Sequence, residues 1–352
     1  MKNALLLTGA AARISQEVAL LDKLIEKKGL EIKPDNTMLA GFSSGALNIG
    51  AINSCFKKEQ ALSWDNYYKQ EILFKLETKN IFTINKFVPV NTTPLRNLIS
   101  SFFDMATISK LHDCSFDSFV LAFSIRRLTT VWASNCYNRH KGVNITDLLM
   151  ASSAIPIIFP DQTINVKNTN RTKHFIKGSF VDGGTGGSFK KFEKHLKKYT
   201  KQKGQFENLY IISPMRQISD EDFDELSKLI PAKEYFRIDL KDLGILKIFL
   251  EMISQNGFDT FVRRLNKWTL KNKIAENIFI CIPEMEDNYP LLNFDKQKAQ
   301  YDSVCKWVDE NPDKLAIPLN EYVKRFEKEP LREITRGIRR KMIHRVRSII
   351  NR

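Results

Sequence analysis

The segment "AGFSSGALNIGAINS" (residues 40–54) places Ser43 between Gly41 and Gly45 at the end of a short apolar run. The preceding "TML" (residues 37–39) predicts the end of a buried strand, and the small residues that follow predict a closely packed helix. A strand, a tight turn and a helix in this order can hold a serine hydroxyl exposed on a strained backbone. Because G-x-S-x-G also fits an ordinary flexible turn, the rest of the chain decides whether Ser43 is a nucleophile.

The segments around this elbow predict strands that alternate with helices. Residues 4–7 are an apolar run that predicts a buried first strand, and "TGAAA" (residues 8–12) predicts the loop after it. Apolar residues then recur at helical spacing over residues 18–25, with charged residues, among them Glu17, between them. Strands and helices that alternate at this pitch predict an α/β fold of three layers, in which helices flank a mostly parallel central sheet.

Further strands are predicted at residues 118–125, 128–134, 175–182, 208–214 and 277–283, of which the third leads Asp182 into a glycine-rich turn. The first two are separated only by Arg126 and Arg127, as in paired strands. Between the second and third strands, "NITDLLMASSAIPIIFP" (residues 144–160) predicts a short helix that Asn144 caps and Pro156 stops.

The organisation of the chain is predicted to be one large domain with a helical extension. Residues 60–115 are less regular and predict a helical insertion, which either caps a site or covers one face of the sheet, the second being favoured. Because no repeat or linker divides the sequence, we predict one large domain over residues 1–310 and a basic amphipathic helical extension over residues 311–352.

Composition excludes several classes of protein. The five cysteines are odd in number and never form a C-x-x-C pair, and the five histidines are scattered, which argues against disulfides, zinc or another metal. The first residues have features of a secretory signal, but these end within about a dozen residues, short of the roughly 15 to 30 expected. No apolar run approaches about 20 residues. We therefore expect a cytoplasmic protein that is soluble or peripheral at a membrane.

Four separated motifs resemble those of the patatin-like phospholipases. They are "LLLTGAAARISQEVALLDKL" (residues 5–24), "GFSSG" (residues 41–45), "ASSAIPIIFP" (residues 151–160) and "FVDGG" (residues 180–184). They follow the order of that family's oxyanion loop, nucleophile elbow, preceding helix end and aspartate turn. The resemblance therefore implies a patatin-like fold and a lipid acyl hydrolase that needs no metal or cofactor.

The resemblance also implies a catalytic dyad of Ser43 and Asp182, in which Asp182 acts as the base without a histidine between. A serine hydroxyl needs such a base, and an acyl-serine intermediate would form and then be hydrolysed. A carboxylate serves better as a base when partial desolvation raises its pKa. Gly183 and Gly184 permit the close turn that follows the aspartate. The expected substrates are phospholipids or other acyl esters.

The predicted oxyanion loop departs from the family pattern. Gly9 is followed by Ala10 and Ala11 where the family has glycines, and Arg13 occupies the place of its basic residue. Alanine keeps the N–H that an oxyanion hole requires, but a position that needs positive φ costs roughly 1 kcal/mol or more with alanine. The resemblance implies that Arg13 orients the loop and favours an anionic head group, whereas its alternative is a solvated helix start.

Two alternatives to the dyad enzyme stay open at this point. A serine, acid and histidine triad would need a histidine after Asp182, which leaves His195 in a basic helix and His344 in the tail. The second alternative is a catalytically weak relative that binds lipid or a protein partner, and the loop alanines motivate it.

The last 22 residues, 331–352, carry seven arginines and one lysine against one glutamate, a net charge of +7 within a total of +15. Their apolar residues follow spacings of three and four, which predicts a helical stripe bordered by arginines. This pattern suits an anionic membrane surface or, equally, packing on the domain itself. A nucleic-acid partner is not favoured, because the charge has no recognised nucleic-acid-binding module with it.

Overall fold

The structure is a computed structural model of the 352-residue chain. It describes residues 2–57, 59, 61–84, 90–127, 129–167, 174–186, 189–218, 222, 254–286 and 289–325. The strands are β1 Asn3–Leu7, β2 Thr37–Gly41, β3 Asp117–Ser124, β4 Thr129–Ser134, β5 Gln162–Lys167, β6 His174–Asp182, β7 Phe206–Ile212, β8 Ala275–Cys281 and β9 Ile317–Pro318. The α-helices are α1 Ile14–Lys28, α2 Ser44–Cys55, α3 Thr78–Ile81, α4 Thr93–Met105, α5 Ile145–Ser152, α6 Phe189–Lys203, α7 Gln255–Thr269, α8 Gln297–Glu310 and α9 Leu319–Lys324.

All of these strands belong to one mixed sheet. Its central strands, in the order β3-β2-β1-β7-β8, are parallel neighbours. Antiparallel strands extend both ends, because β9 pairs with β8 while β4 and β6 pair with β3. The predicted α/β fold with a parallel central sheet is confirmed, and β3 and β4 form the pair that the sequence predicted.

The alternation of side chains along β1 separates the two faces of the sheet. Leu5 and Leu7 pack with α1, α2 and α8 on one face, whereas Ala4 and Leu6 pack with α6, α7 and α9 on the other. Every residue of β1 is buried, as expected of a strand covered on both faces. The sheet is therefore the middle of three layers, as predicted.

Local sequence signals fix the ends of two helices that matter for the site. α1 ends at Gly29, whose φ of 63° closes the helix through a hydrogen bond from its N–H to the carbonyl of Leu24. α5 begins after Asn144, whose side chain accepts a hydrogen bond from the N–H of Asp147 at 2.9 Å. Asn144 is thus the cap that the sequence predicted.

The insertion predicted at residues 60–115 contains a π-helical segment, Trp64–Ile72, followed by α3 and α4. Its apolar side chains pack in one cluster with α2 and α5. The insertion therefore lies against the helix that follows the serine elbow.

The predicted division of the chain at residue 310 stays a prediction. Ile317–Pro318 pairs with β8, and α9 packs with α7, so the described part of the extension joins the main sheet. The basic segment 331–352 lies outside the described residues. Within the described ranges, no helix combines the length and the apolar character needed to cross a membrane.

Candidate active site

Ser43 occupies the turn between β2 and α2 in a conformation that non-glycine residues rarely adopt. Its φ is 56° and its ψ is −140°. Such a conformation costs about 1–3 kcal/mol and persists where neighbours enforce it. Here the N–H of Ser43 donates to the carbonyl oxygen of Ser152 at 3.1 Å and lies 3.2 Å from its Oγ. The backbone at Ser43 is therefore strained, as predicted, but the residue is buried and not exposed.

The small residues beside Ser43 are required by close packing. A Cβ on Gly45 would lie 2.5 Å from the carbonyl oxygen of Leu7, and one on Gly41 would lie 2.7 Å from the same atom. Both distances are too short for any side chain, because the start of α2 passes directly over the end of β1. The two glycines of the motif therefore serve the close approach of the backbone.

The sheet topology brings Asp182 to the elbow across 139 positions of sequence. β2 and β6 both lie on the side of β3 opposite β4, one parallel to β3 and the other antiparallel to it. Gly41 at the end of β2 pairs with Val120, and Asp182 at the end of β6 pairs with Ala122. The C-terminal ends of β2 and β6 therefore point towards each other along β3, and the residues that follow the two strands lie close together.

Asp182 is completely buried, and its Oδ1 accepts a hydrogen bond from the N–H of Gly184 at 2.7 Å. Burial raises the pKa of Asp182 to about 7, and the Ser43 hydroxyl, the Gly184 N–H and the charge of Arg216 only partly oppose this shift. Oδ2 makes no well-aligned hydrogen bond to any described residue. This carboxylate thus has an oxygen available for a proton, beside the serine hydroxyl.

Gly183 allows the aspartate turn to fit. A Cβ at this position would lie 2.4 Å from the carbonyl oxygen of Leu121 on β3 and 2.8 Å from Cβ of Phe42. The backbone after Asp182 can therefore pass between β3 and the elbow only if residue 183 has no side chain.

The end of α5 connects the serine to the aspartate. The hydroxyl of Ser152 donates to the carbonyl oxygen of Leu121 at 2.6 Å, while Ser152 also accepts the N–H of Ser43. Two residues later, the carbonyl of Ala154 accepts the N–H of Asp182 at 2.8 Å. The motif at residues 151–160 thus holds both groups in position.

The loop after β1 presents few free N–H groups. Gly9 has a φ of 59°, and its N–H donates to Oε1 of Glu17 at 2.7 Å. The N–H of Ala10 donates to Oγ of Ser44 at 3.0 Å. Ala11 has a positive φ of 49°, and its N–H, like that of Ser44, donates to no described residue. Of the loop residues predicted for an oxyanion hole, Ala11 is the one whose N–H is not already engaged.

Arg13 is buried, and its guanidinium group is bonded to carbonyl groups of the protein. Its Nη1 donates to the carbonyls of Met215 at 3.0 Å and Gln217 at 2.6 Å, and its Nε donates to that of Tyr289 at 2.8 Å. Burial lowers its pKa to about 10, against the charge of Asp222 at 3.6 Å. The expectation that Arg13 favours an anionic head group is therefore wrong. Its buried guanidinium group instead bonds the loop after β1 to the segments around Met215 and Tyr289. Its role in orienting the loop stays a prediction.

Two charged residues near the site were not predicted. Glu17 was assigned with the charged residues of α1, yet it is completely buried, and its Oε2 accepts a hydrogen bond from the Asn48 side chain at 2.9 Å. Burial raises its pKa to about 7. Arg216 is buried after β7, with its Nε donating to Oγ of Ser213 at 2.7 Å and its Nη2 to Oγ1 of Thr8. Neither residue has a signal in the sequence, because helical periodicity does not reveal contacts with distant loops.

A pocket with a cavity volume of about 80 Å³ opens beside Ser43 and is lined mostly by apolar side chains. The lining comprises Ala11, Ile14, Ser43, Ser44, Leu47, Ala51, Tyr68, Ile72, Leu76, Ile81, Leu95, Leu98, Ile99, Phe102, Phe103, Leu149, Ser153, Ile155, Phe159 and Phe294. About half of these belong to the insertion. The favoured expectation, that residues 60–115 only cover the sheet, is therefore wrong, because this segment builds the wall of the pocket.

The histidines considered for a triad are placed elsewhere or not described. His195 lies on α6, on the opposite face of the sheet from α2, and its Nδ1 is 2.7 Å from the hydroxyl of Tyr137. His344 lies outside the described residues. The described structure therefore brings Ser43 together with Asp182 and not with His195.

Together, the mixed sheet and the helices on both of its faces define an α/β protein of three layers. Comparison of the sequence with protein-family models matches residues 5–189 to the family described as patatin-like phospholipase. This match covers more than half of the chain, and the chain belongs to the patatin-like phospholipase family, a family of lipid hydrolases.

Two further comparisons were made, one with solved structures and one with curated proteins. A search of solved structures finds similarity to VipD from Legionella pneumophila, with 10% sequence identity, a TM-score of 0.31, and coverage of 88% of this chain and 67% of that chain. A search of curated proteins gives no significant match.

Proposed function

We propose that the protein is a lipid acyl hydrolase of the phospholipase A type, with Ser43 as nucleophile and Asp182 as general base. The observation that carries the proposal is the juxtaposition of a strained serine with a buried carboxylate whose pKa is near 7. A base with a pKa near the working pH is most effective at proton transfer. The apolar pocket beside Ser43 suits the acyl chain of a lipid better than a polar substrate.

The reaction follows from the groups present. Asp182 takes the hydroxyl proton as Oγ of Ser43 attacks the ester carbonyl, and the oxyanion that forms is stabilised by the N–H groups of Ser44 and Ala11. Collapse breaks the ester bond, and the proton passes from Asp182 to the leaving alcohol. Water that Asp182 then activates hydrolyses the acyl-serine. The loss of one oxyanion donor typically lowers the rate by about 10²–10³-fold.

Labelling with a fluorophosphonate tests the nucleophile. The wild-type protein should react, and Ser43→Ala should abolish the labelling. This substitution should not unfold the protein, because it removes only the side-chain hydroxyl. Ser101→Ala, which changes an exposed serine of α4, is the matched control and should label at the wild-type rate. Full labelling of Ser43→Ala would show that another residue is the nucleophile.

The alternative is a catalytically weak member of the family that binds lipid or a protein partner, which the alanines of the oxyanion loop favour. Release of fatty acid from mixed phospholipid vesicles separates the two. Release that Ser43→Ala eliminates supports the enzyme, whereas vesicle binding without release supports the binding module.

A further inference from the structure

We propose that the pocket runs along helix α2 and that Ala51 and Phe103 limit the acyl chain it accepts to about ten to twelve carbons. This inference rests on the proposed function, since it takes Ser43 as the point where the carbonyl carbon is held. It adds a chain-length preference and names the residues that set it.

The first observation is the face of α2 that lines the pocket. Ser43, Leu47 and Ala51 are spaced by four residues, and all three line the pocket. Residues four apart lie on one face of a helix, and a helix rises about 1.5 Å per residue. The lining face therefore extends about 12 Å from the nucleophile to Ala51.

The second observation is the wall that faces α2. The hydroxyl of Tyr68 donates to Oδ1 of Asn48 at 2.7 Å, which fixes its ring beside the first turns of the helix. Farther along, a Cβ on Gly50 would lie 2.5 Å from Cζ of Phe103 and 3.2 Å from Cδ1 of Leu149. The tip of the Phe103 ring thus occupies the space of a missing side chain, next to Ala51. Phe103 and Leu149 close this path at the depth of Ala51.

The chemistry of the lining selects the part of the lipid that enters. Beyond the elbow, the polar groups in the described lining are the hydroxyls of Tyr68 and Ser153. Both already donate hydrogen bonds, the first to Oδ1 of Asn48 and the second to the carbonyl oxygen of Leu149. A charged head group placed there would lose its hydration without a partner. An unbranched acyl chain meets no such cost, because each buried methylene is favourable.

The depth of the path then sets the chain length. Carbon–carbon bonds of about 1.5 Å at tetrahedral angles advance an extended chain by about 1.3 Å per carbon, so a path of about 12 Å holds about nine or ten carbons beyond the carbonyl. Up to that length each added carbon that is buried should raise kcat/KM by about fourfold. Longer chains should bring no further increase.

The test is a series of p-nitrophenyl esters from C4 to C16, with full-length protein. For the wild type we expect kcat/KM to rise to about C10–C12 and then to stop rising. Ala51→Phe adds bulk at the end of the path and should lower the ratio of C12 to C6 hydrolysis at least tenfold. Ala61→Phe adds the same bulk at an exposed position of the insertion and should leave this ratio unchanged.

A second variant covers the case in which Ala51→Phe fails to fold. Phe103→Leu shortens the closing side chain and should raise C14 and C16 hydrolysis severalfold relative to C8. Circular dichroism reports folding for every variant.

The outcomes separate this inference from the proposed function. A folded wild type that hydrolyses none of the esters would contradict the proposed function itself. A wild type whose kcat/KM keeps rising to C16, or folded variants whose chain-length profile matches that of the wild type, would overturn the inference alone. Loss of activity by the same factor at every chain length in folded Ala51→Phe would also overturn it.

Discussion

At the residue scale, backbone strain and buried charge coincide at the site. Ser43 and Ala11 both adopt positive φ, and Asp182 and Glu17 are both completely buried. Each of these features lowers stability when taken alone. Such conflicts between local preference and structure are expected at functional sites.

The proposed role of Asp182 as general base predicts how activity depends on pH. A general base acts only when it is ionised, and burial raises the pKa of Asp182 to about 7. We expect kcat/KM on a soluble ester to increase as pH rises from 5 to 9, with a midpoint near pH 7. Asp182→Asn should remove nearly all turnover, whereas His195→Ala should change it little. Equal damage from both substitutions would restore the histidine triad as an explanation.

The same carboxylate makes the protein less stable at alkaline pH. Because the pKa of Asp182 is raised in the folded state, folding favours its protonated form. The protonated carboxyl group of Asp182 therefore contributes fully to the free energy of unfolding below about pH 4, the usual pKa of an aspartate. This contribution is lost as pH rises through about 7. Asp182→Asn should therefore raise the free energy of unfolding at pH 8, by a few kcal/mol, while abolishing activity. Chemical denaturation of both proteins at pH 8 measures this difference in the free energy of unfolding.

The control for this measurement is Asp35→Asn, which changes an exposed carboxylate. It should leave stability within about 0.5 kcal/mol of the wild type. If Asp182→Asn is instead less stable than the wild type at pH 8, the neighbouring groups stabilise the ionised carboxylate by more than its burial destabilises it.

Ala11 offers a test of strain in the loop. Glycine adopts a φ of 49° without the steric cost that alanine incurs, so Ala11→Gly should raise the free energy of unfolding by about 1 kcal/mol. The N–H proposed as an oxyanion donor is retained, and we expect kcat to fall by no more than about threefold, well below the 10²–10³ of a lost donor. Thermal denaturation checks the expected increase in stability, and ester hydrolysis checks the expected kcat. A destabilised Ala11→Gly protein would contradict the assigned strain.

At the scale of elements, the site depends on two strand ends, on the strand β3 between them and on one helix end. β2 and β6 meet along β3, and the end of α5 is hydrogen-bonded to both the elbow and the aspartate turn. Ser152 is central to this arrangement, because its hydroxyl donates to β3 and its carbonyl accepts from the elbow. The geometry of Ser43 is therefore a property of the assembled elements.

Removal of the Ser152 hydroxyl should loosen the elbow. Ser152→Ala leaves the carbonyl of Leu121 buried without this donor, which typically costs about 1–3 kcal/mol of stability. We also expect kcat to fall more than KM changes, since the substitution moves Ser43, the proposed nucleophile, and does not touch the pocket proposed for the acyl chain. Ser54→Ala, a buried serine of α2 bonded within its own helix, is the matched control for stability. Equal kcat in the two variants would contradict this role for α5.

At the scale of the whole molecule, the net charge of +15 calls for a partner, and the basic segment 331–352 stays a predicted membrane-surface helix. Each basic residue near an anionic bilayer contributes about 1 kcal/mol. Vesicle sedimentation should show binding that increases with anionic lipid content and decreases with salt, because exposed charges are screened beyond about 10 Å at 0.1 M.

Truncation after Pro330 tests the same helix. It removes none of the described residues, so hydrolysis of a soluble ester should be preserved while binding to vesicles falls. Equal loss of both activities, or misfolding, would place the helix in the core of the domain.

The sequence by itself determined the central elements and their order. Periodicity and caps predicted the central strands, the helix capped by Asn144 and the elbow at Ser43, because these depend on residues close together in the chain. The motif resemblance added the family, since four short patterns in one order are specific even where each alone is not. These signals were sufficient to predict the fold, and the resemblance implied the pair of Ser43 and Asp182, whose catalytic role stays a prediction.

Only the tertiary structure decided the environment of that pair. The burial of Glu17, the engagement of Arg13 by Met215 and Tyr289, and the pocket built by the insertion all arise from contacts between distant segments. A charged residue shows the same pattern in sequence whether it faces water or an N–H of a neighbouring loop. Which of these it faces is set by how the layers pack, and packing is not encoded in local periodicity.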